Sequence, residues 1–204
     1  LEEVDDAERI ARLVRAQLAV TGVIDADERV HAGGLRGPEL ARVLTWCPTC
    51  NIQLSEIVMP STEAGFALGH VVPYIAARID GLRSHFIRPV NKRVALHEHP
   101  GVAGVTEGVV KILTAIPGIE LVDLEQPRVG YMCNSLAPVP AYKRELHARE
   151  LEAAAAAGVD YLVGIYHACH RELCAHEATS PFKVVNFQFL LLTRGGFGCT
   201  QCIS

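Results

Sequence analysis

Apolar residues at Ile10, Leu13, Val14 and Leu18 recur on one helical face, behind a first turn that carries Glu2, Glu3, Asp5 and Asp6. The spacing predicts an amphipathic helix to about Val20, its acidic start matching the positive end of the helix dipole. The polar, glycine-bearing stretch from Thr21 to Gly37 reads as a loop. Arg42 to Trp46 is a short run of strand formers, and Cys50 to Ile57 opens a helix that Pro60 is expected to stop. A further helix is expected over Gly69 to Arg83, kinked or delayed by Pro73.

Beyond Arg83 the same grammar repeats. Lys92 to His99 reads as a strand, Thr106 to Ile116 as a helix, and Ile119 to Glu125 and Arg128 to Cys133 as short strands. A helix is predicted from Ala141 to Ala157, with Gly158 as its C-terminal stop. The segment from Asp160 to Tyr166 is a strand, His170 to Ala178 is helical, Lys183 to Leu192 starts as a strand, and the rest is a loose tail. Strands alternating with helices imply an α/β fold with a mostly parallel sheet flanked by helices. In such sheets ligands sit beyond the carboxyl ends of the strands, which is where His97, His99, Cys133, Cys169, Cys47 and Cys50 fall.

Composition narrows the function classes. Half of the 204 residues are hydrophobic and 21% are charged, which is ample material for a buried core. The net charge is -4 with no basic stripe, and only 6% of residues are aromatic, so neither a nucleic-acid backbone nor a stack of bases finds a complementary surface. No apolar run reaches the roughly 20 residues of a spanning helix. The opening residues show no initiating Met, basic n-region or cleavage site, a pattern expected of a cytoplasmic chain or a piece of one. No Gly-rich phosphate loop, nucleophile elbow or zincin motif occurs, so nothing nominates a stand-alone active site.

Seven cysteines lie at 47, 50, 133, 169, 174, 199 and 202. Without an export signal, CxxC pairs favour metal or redox chemistry over a disulfide framework. The stretch Thr45 to Leu54, TWCPTCNIQL, returns 119 residues later as Gly164 to Leu173, GIYHACHREL; Cys50 then meets Cys169, while Cys47 meets Tyr166. Cys47 and Cys50 read as half of a metal or cluster site, as a redox dithiol, or as idle thiols of a decayed motif. Cys174, one turn beyond His170, reads as a small buried hydrophobe. Cys199 and Cys202 form a second CxxC, which completes a four-thiolate site with Cys47 and Cys50 if the tail folds back.

The order of these motifs resembles the cysteine-rich CCG-domain family of heterodisulfide-reductase-like iron-sulfur proteins. There, a strand ending in HDPCH is followed by ELVD, a strand ending in CCG, a long helix, and D-x-[IV]-V-x-x-CPxC opening another helix. Here the corresponding stretches are LHEHPGV (Leu96 to Val102), ELVD (Glu120 to Asp123), YMCNS (Tyr131 to Ser135), the Ala-rich helix and GVDYLVGIYHACHREL (Gly158 to Leu173). LTWCPTCNIQLSE is similar to the closing element of a preceding copy. The resemblance covers about residues 40 to 192 and implies two CCG-type pseudo-repeats, the first incomplete: residues 1–88 with the CPTC motif, and 89–204, cysteine-depleted and ending in the CxxC tail.

Departures from the family pattern limit the cofactor. In the second copy Pro100, Met132 and Tyr166 stand where the family has ligand cysteines, and Asn134 where CCG has its Gly. Cys133 and Cys169 alone survive there, and two thiolates do not hold a four-iron cluster. The resemblance implies an accessory or electron-transfer iron-sulfur subunit of an oxidoreductase complex, not a stand-alone enzyme, partnered by flavin or iron-sulfur subunits. Any cluster is shared or incomplete in this chain and ligated through Cys47 and Cys50. His97, His99, His167 and His170 occupy the loops in which the family keeps cysteines, beside Cys133 and Cys169, and imidazole with thiolate suits zinc. Loop histidines also serve simply as polar surface. A structural or assembly subunit with an empty or zinc-filled site is the alternative function.

Overall fold

The computed structural model describes residues 41–61, 66–86, 88–98, 101–126 and 135–193. The predicted helix to Val20, the loop to Gly37, the strand from Arg128 to Cys133 and the cysteine tail lie outside the described residues. The chain divides into two compact units, Leu1–Tyr74 and Ile75–Ser204. Among the described residues no helix is long and apolar enough to cross a membrane.

In the first unit β1 (Ala41–Thr45) and β2 (Phe66–His70) pair in parallel, with Ala41 opposite Phe66 and Thr45 opposite His70. Helix α1 (Pro48–Gln53) links them and runs on through a π-helical turn, Leu54–Val58, into Met59–Ser61. Pro48 occupies the first turn, where its missing N–H leaves no bond unmade. The expected stop at Pro60 does not occur, because the ladder leaves the α register just before it. Met59 donates to the Leu54 carbonyl five residues back, so the bond that an α-helical register would require from residue 60 is already displaced.

The helix expected over Gly69 to Arg83 is also redistributed. Gly69 belongs to β2, and the helical residues are α2 (Val71–Ala76) and α3 (Ile79–Leu82), followed by a 3-10 turn, Arg83–His85. Pro73 sits in the first turn of α2. The strand Phe66–His70 is hidden in the sequence because a short apolar run has no decisive period. Its parallel partner, β1, supplies the missing information.

In the second unit a parallel sheet has the order β4-β3-β5-β6, with β3 Lys92–His97, β4 Ile119–Val122, β5 Tyr161–Gly164 and β6 Lys183–Asn186. Its helices are α4 (Val105–Ala115), α5 (Pro140–Ala156), α6 (His167–Cys174) and α7 (Phe187–Thr193). The fold is therefore α/β, with parallel sheets flanked by helices. The chain steps one way from β3 to β4 and the other way to β5 and β6. Right-handed crossovers then put α4 on one face and α5 and α6 on the opposite one.

Packing follows that division. Ala95, Leu162 and Val184 stand opposite one another across β3, β5 and β6 and form one core cluster with Ala154 of α5, Leu173 of α6, Val159 and Phe182. Val94 and Val163, one residue out of step, are also fully buried and point to the other face. α4 packs against α7, and Val109, Ile112, Leu113, Phe187 and Leu190 are buried there. Each such fully buried aliphatic or aromatic side chain contributes about 1.5–3 kcal/mol. Asp160 ties the amino ends together: its carboxylate accepts from Lys92 Nζ at 2.7 Å and from the Arg93 N–H at 2.9 Å, and its carbonyl accepts from Lys183 at 3.0 Å. Those donors, Lys92 first, hold its carboxyl below the usual aspartate range.

The sequence echo corresponds to a structural one. β1-α1-β2-α2 and β5-α6-β6-α7 are the same succession of parallel strands and helices, and each second strand passes into its helix without a loop. The last residue of that strand makes equivalent bonds in both. His70 Nε2 bonds the Trp46 carbonyl at 2.9 Å and its Nδ1 accepts the Val72 N–H at 3.2 Å. In the other unit Asn186 Nδ2 donates to the Ile165 carbonyl at 3.3 Å and its Oδ1 accepts the Gln188 N–H at 3.0 Å. Asn51 donates to the Cys47 carbonyl, as His170 does to that of Tyr166, each at 3.0 Å.

Candidate functional site

The site begins with the turn after β1. Cys47 is the N-cap residue of α1 with extended backbone (φ -77°, ψ 127°), and Pro48 fixes the first helical residue. The turn is anchored from inside: Asn51 Nδ2 donates to Thr45 Oγ1 at 2.7 Å, and Thr45 Oγ1 donates to the Gly69 carbonyl on β2 at 3.2 Å. His70 adds a second brace through the Trp46 carbonyl. Because Nδ1 accepts a backbone N–H, the His70 proton is assigned to Nε2, which donates. Burial pushes the ring's pKa down, partly offset by the bond to Trp46.

On that framework Cys47 and Cys50 are both exposed free thiols. The Cys47 thiol is held below its ordinary value, chiefly by the backbone N–H of Cys50 directed at its sulfur, and also by the Cys50 thiol and by Thr49; partial burial opposes this. The Cys50 thiol is raised, first because it donates to Cys47, then by burial and by the charge that Cys47 carries as thiolate. Of the two thiols, Cys47 is the more readily ionised. Such a pair presents two adjacent sulfurs to a metal ion, or an attacking and a resolving thiol to a disulfide.

The other predicted residues are dispersed among different environments. Cys169, the counterpart of Cys50, is 1% exposed within the core. His167 is exposed at the start of α6, and His170 lies half-buried with its Nε2 3.4 Å from Cys174 Sγ. Cys174 is half-buried rather than fully enclosed, and that burial raises its thiol pKa. His97, the last residue of β3, bonds through Nδ1 to both carboxylate oxygens of Glu150, at 2.9 and 2.8 Å. His99, Cys133, Cys199 and Cys202 lie outside the described residues. Among the described residues no group of three or more His, Cys, Asp or Glu side chains is disposed to hold a metal ion.

Compared with known proteins, the chain matches no family model, no curated protein and no solved structure. Its own geometry therefore carries the functional argument.

Sequence reasoning misses four side chains near these positions. His70 escapes notice because Gly69 and His70, the end of β2, read as the start of a helix. Glu150, His147 and His176 gather around His97: the His147 ring lies 6.3 Å from that of His97 and 6.1 Å from that of His176, both edge-on. His147 is buried, and its Nε2 meets no hydrogen-bond partner among the described residues. The i, i+3 spacing of His147 and Glu150 on α5 is the available signal, but it does not reveal that His97 is what they face. The hollow of about 430 Å³ lined by Lys92, Asp160, Tyr161 and Lys183 lies at the amino ends of the strands, the opposite end of the sheet from His97.

Proposed function

We propose that the chain is an accessory electron-transfer subunit of a heterodisulfide-reductase-like oxidoreductase complex, and that Cys47 and Cys50 are the thiolates it offers to an iron-sulfur cluster. The observation that carries this reading is the exposed CPTC pair, anchored at a strand-to-helix turn by the Thr45–Asn51 and His70–Trp46 bonds. Two adjacent thiolates fit half of the four-cysteine set that a cluster needs. The other half comes from thiolates outside the described residues or from a partner chain. A bound cluster supplies one-electron transfer; the contribution of this chain's own residues is to hold the two sulfurs side by side through the Thr45–Asn51 and His70–Trp46 bonds. In the second unit Cys169 is enclosed in the core, so that copy serves as scaffold.

Cys47→Ser with Cys50→Ser tests this in the complex isolated without oxygen. The wild type is expected to show visible absorption that bleaches on reduction, and the double variant is expected to lose it while still binding its partners. Wild-type complex without such absorption overturns the reading. A structural or assembly subunit is the second reading, supported by Leu44, Ile52 and Ile57, large apolar side chains exposed in the CPTC unit. That reading expects the double variant to leave every activity of the complex unchanged.

A further inference from the structure

We propose that the outer edge of β1 is a docking site for a strand followed by a helix, donated in parallel by a partner protein, with the pattern that β3 and α4 have in the second unit. This goes beyond the cluster reading and does not rest on it, since no thiol enters it. The internal echo carries it. β5 is flanked on both edges, by β6 and by β3, whereas among the described residues β1 pairs with β2 alone. The side chains register the difference. In the echo Val43 corresponds to Leu162 and Leu44 to Val163; Leu162 and Val163 are 0% exposed, while Val43 is half-buried and Leu44 is 37% exposed. Thr45 meets Asn51 of α1, so Leu44, one residue out of step, points to the opposite face. In the second unit that face carries α4 and α7, which pack on each other. In the first, α2 is the counterpart of α7, and no described helix is the counterpart of α4.

Three features specify the occupant. It is parallel, because β3 lies parallel to β5, with Ala95 opposite Leu162 and Leu96 opposite Val163. Transferred by the echo, a small residue of the incoming strand lies beside Val43 and a large aliphatic one beside Leu44. It carries a helix, because covering Leu44 takes an apolar face of the kind that Val109 and Ile112 give α4. It belongs to another protein, for two reasons. The residues before β1 read, on their sequence pattern, as an amphipathic helix and a polar loop. A second copy that meets this edge about a two-fold axis sets β1 antiparallel to itself. A sheet of two strands is marginal in water, and an added strand and helix supply main-chain bonds and buried apolar area together.

The test uses the full-length chain and, as the surrogate strand and helix, a synthetic peptide of its own residues 90–116, which span β3 and α4 and contain no tryptophan. A scrambled peptide is the control. Amide hydrogen exchange is read by mass spectrometry, and Trp46, the residue after β1, reports by fluorescence. The peptide is expected to slow exchange of residues 41–45 at least about tenfold and to shift Trp46 emission to the blue. Leu44→Lys is expected to weaken peptide binding at least about tenfold, and Leu44→Ile to leave it within about twofold. Three results overturn the proposal. One is a peptide effect no larger than that of the scrambled control, and another is equal binding to Leu44→Lys. The third is protection of residues 41–45 equal to that of residues 161–164 without peptide: independent of concentration, it means that the chain fills its own edge, and rising with concentration, that a second copy does. Iron and sulfide content, which decide the cluster reading, do not enter this outcome.

Discussion

At the scale of single residues, His70 links strand, helix and cysteine turn. Its neutral ring donates from Nε2 to Trp46 and accepts at Nδ1 from Val72, and protonation removes the acceptor. Because burial lowers its folded pKa, the unfolded chain takes up this proton first as pH falls below about 6.5. The associated stability is complete above that pH and declines as pH falls toward the depressed folded value. Trp46 is the only tryptophan and touches this bond, so its fluorescence in urea titrations at successive pH values reports the unit that contains it. The unfolding midpoint is expected to fall on acidification through this range in wild type, and His70→Asn is expected to lose this component. An unchanged pH slope in the variant assigns the effect to another group.

At the scale of elements, the strand-turn-helix unit is legible in the sequence and its closure is not. β1, β3, α4, β5 and the long α5 follow from strand formers, helical period and the Gly158 stop, and lie within a few residues of their expected ends. β2 escapes such reading because five residues interrupted by a glycine carry too little pattern, and helix α1 outruns Pro60 because a π turn relieves the clash. The cysteine pair is legible because CxxC is local. The Glu150–His97 contact is not, since it joins residues 53 apart in sequence across two elements. Gly164, the end of β5, illustrates the same point: a Cβ there lies 3.3 Å from the His170 backbone nitrogen. Gly164→Val is expected to force α6 off the sheet at a cost of about 1–3 kcal/mol, measured by chemical denaturation of the second unit. A variant as stable as wild type contradicts this packing.

At the scale of the whole molecule, two compact units share one succession of elements but differ in what the motif retains. Where Cys47 stands in the first unit, Tyr166 stands in the second and is buried with Cys169. The Tyr166 ring is enclosed, whereas the Cys47 thiol is exposed. Among the described residues the first unit therefore presents two exposed thiols and the second none. The central claim is that Cys47 and Cys50 ligate a cluster completed by other thiolates. Its most direct test is the content of iron, zinc and acid-labile sulfide per chain in protein isolated without oxygen together with its partners. The account predicts several irons with matching sulfide, lost on Cys47→Ser with Cys50→Ser; zinc without sulfide, or no metal, contradicts it.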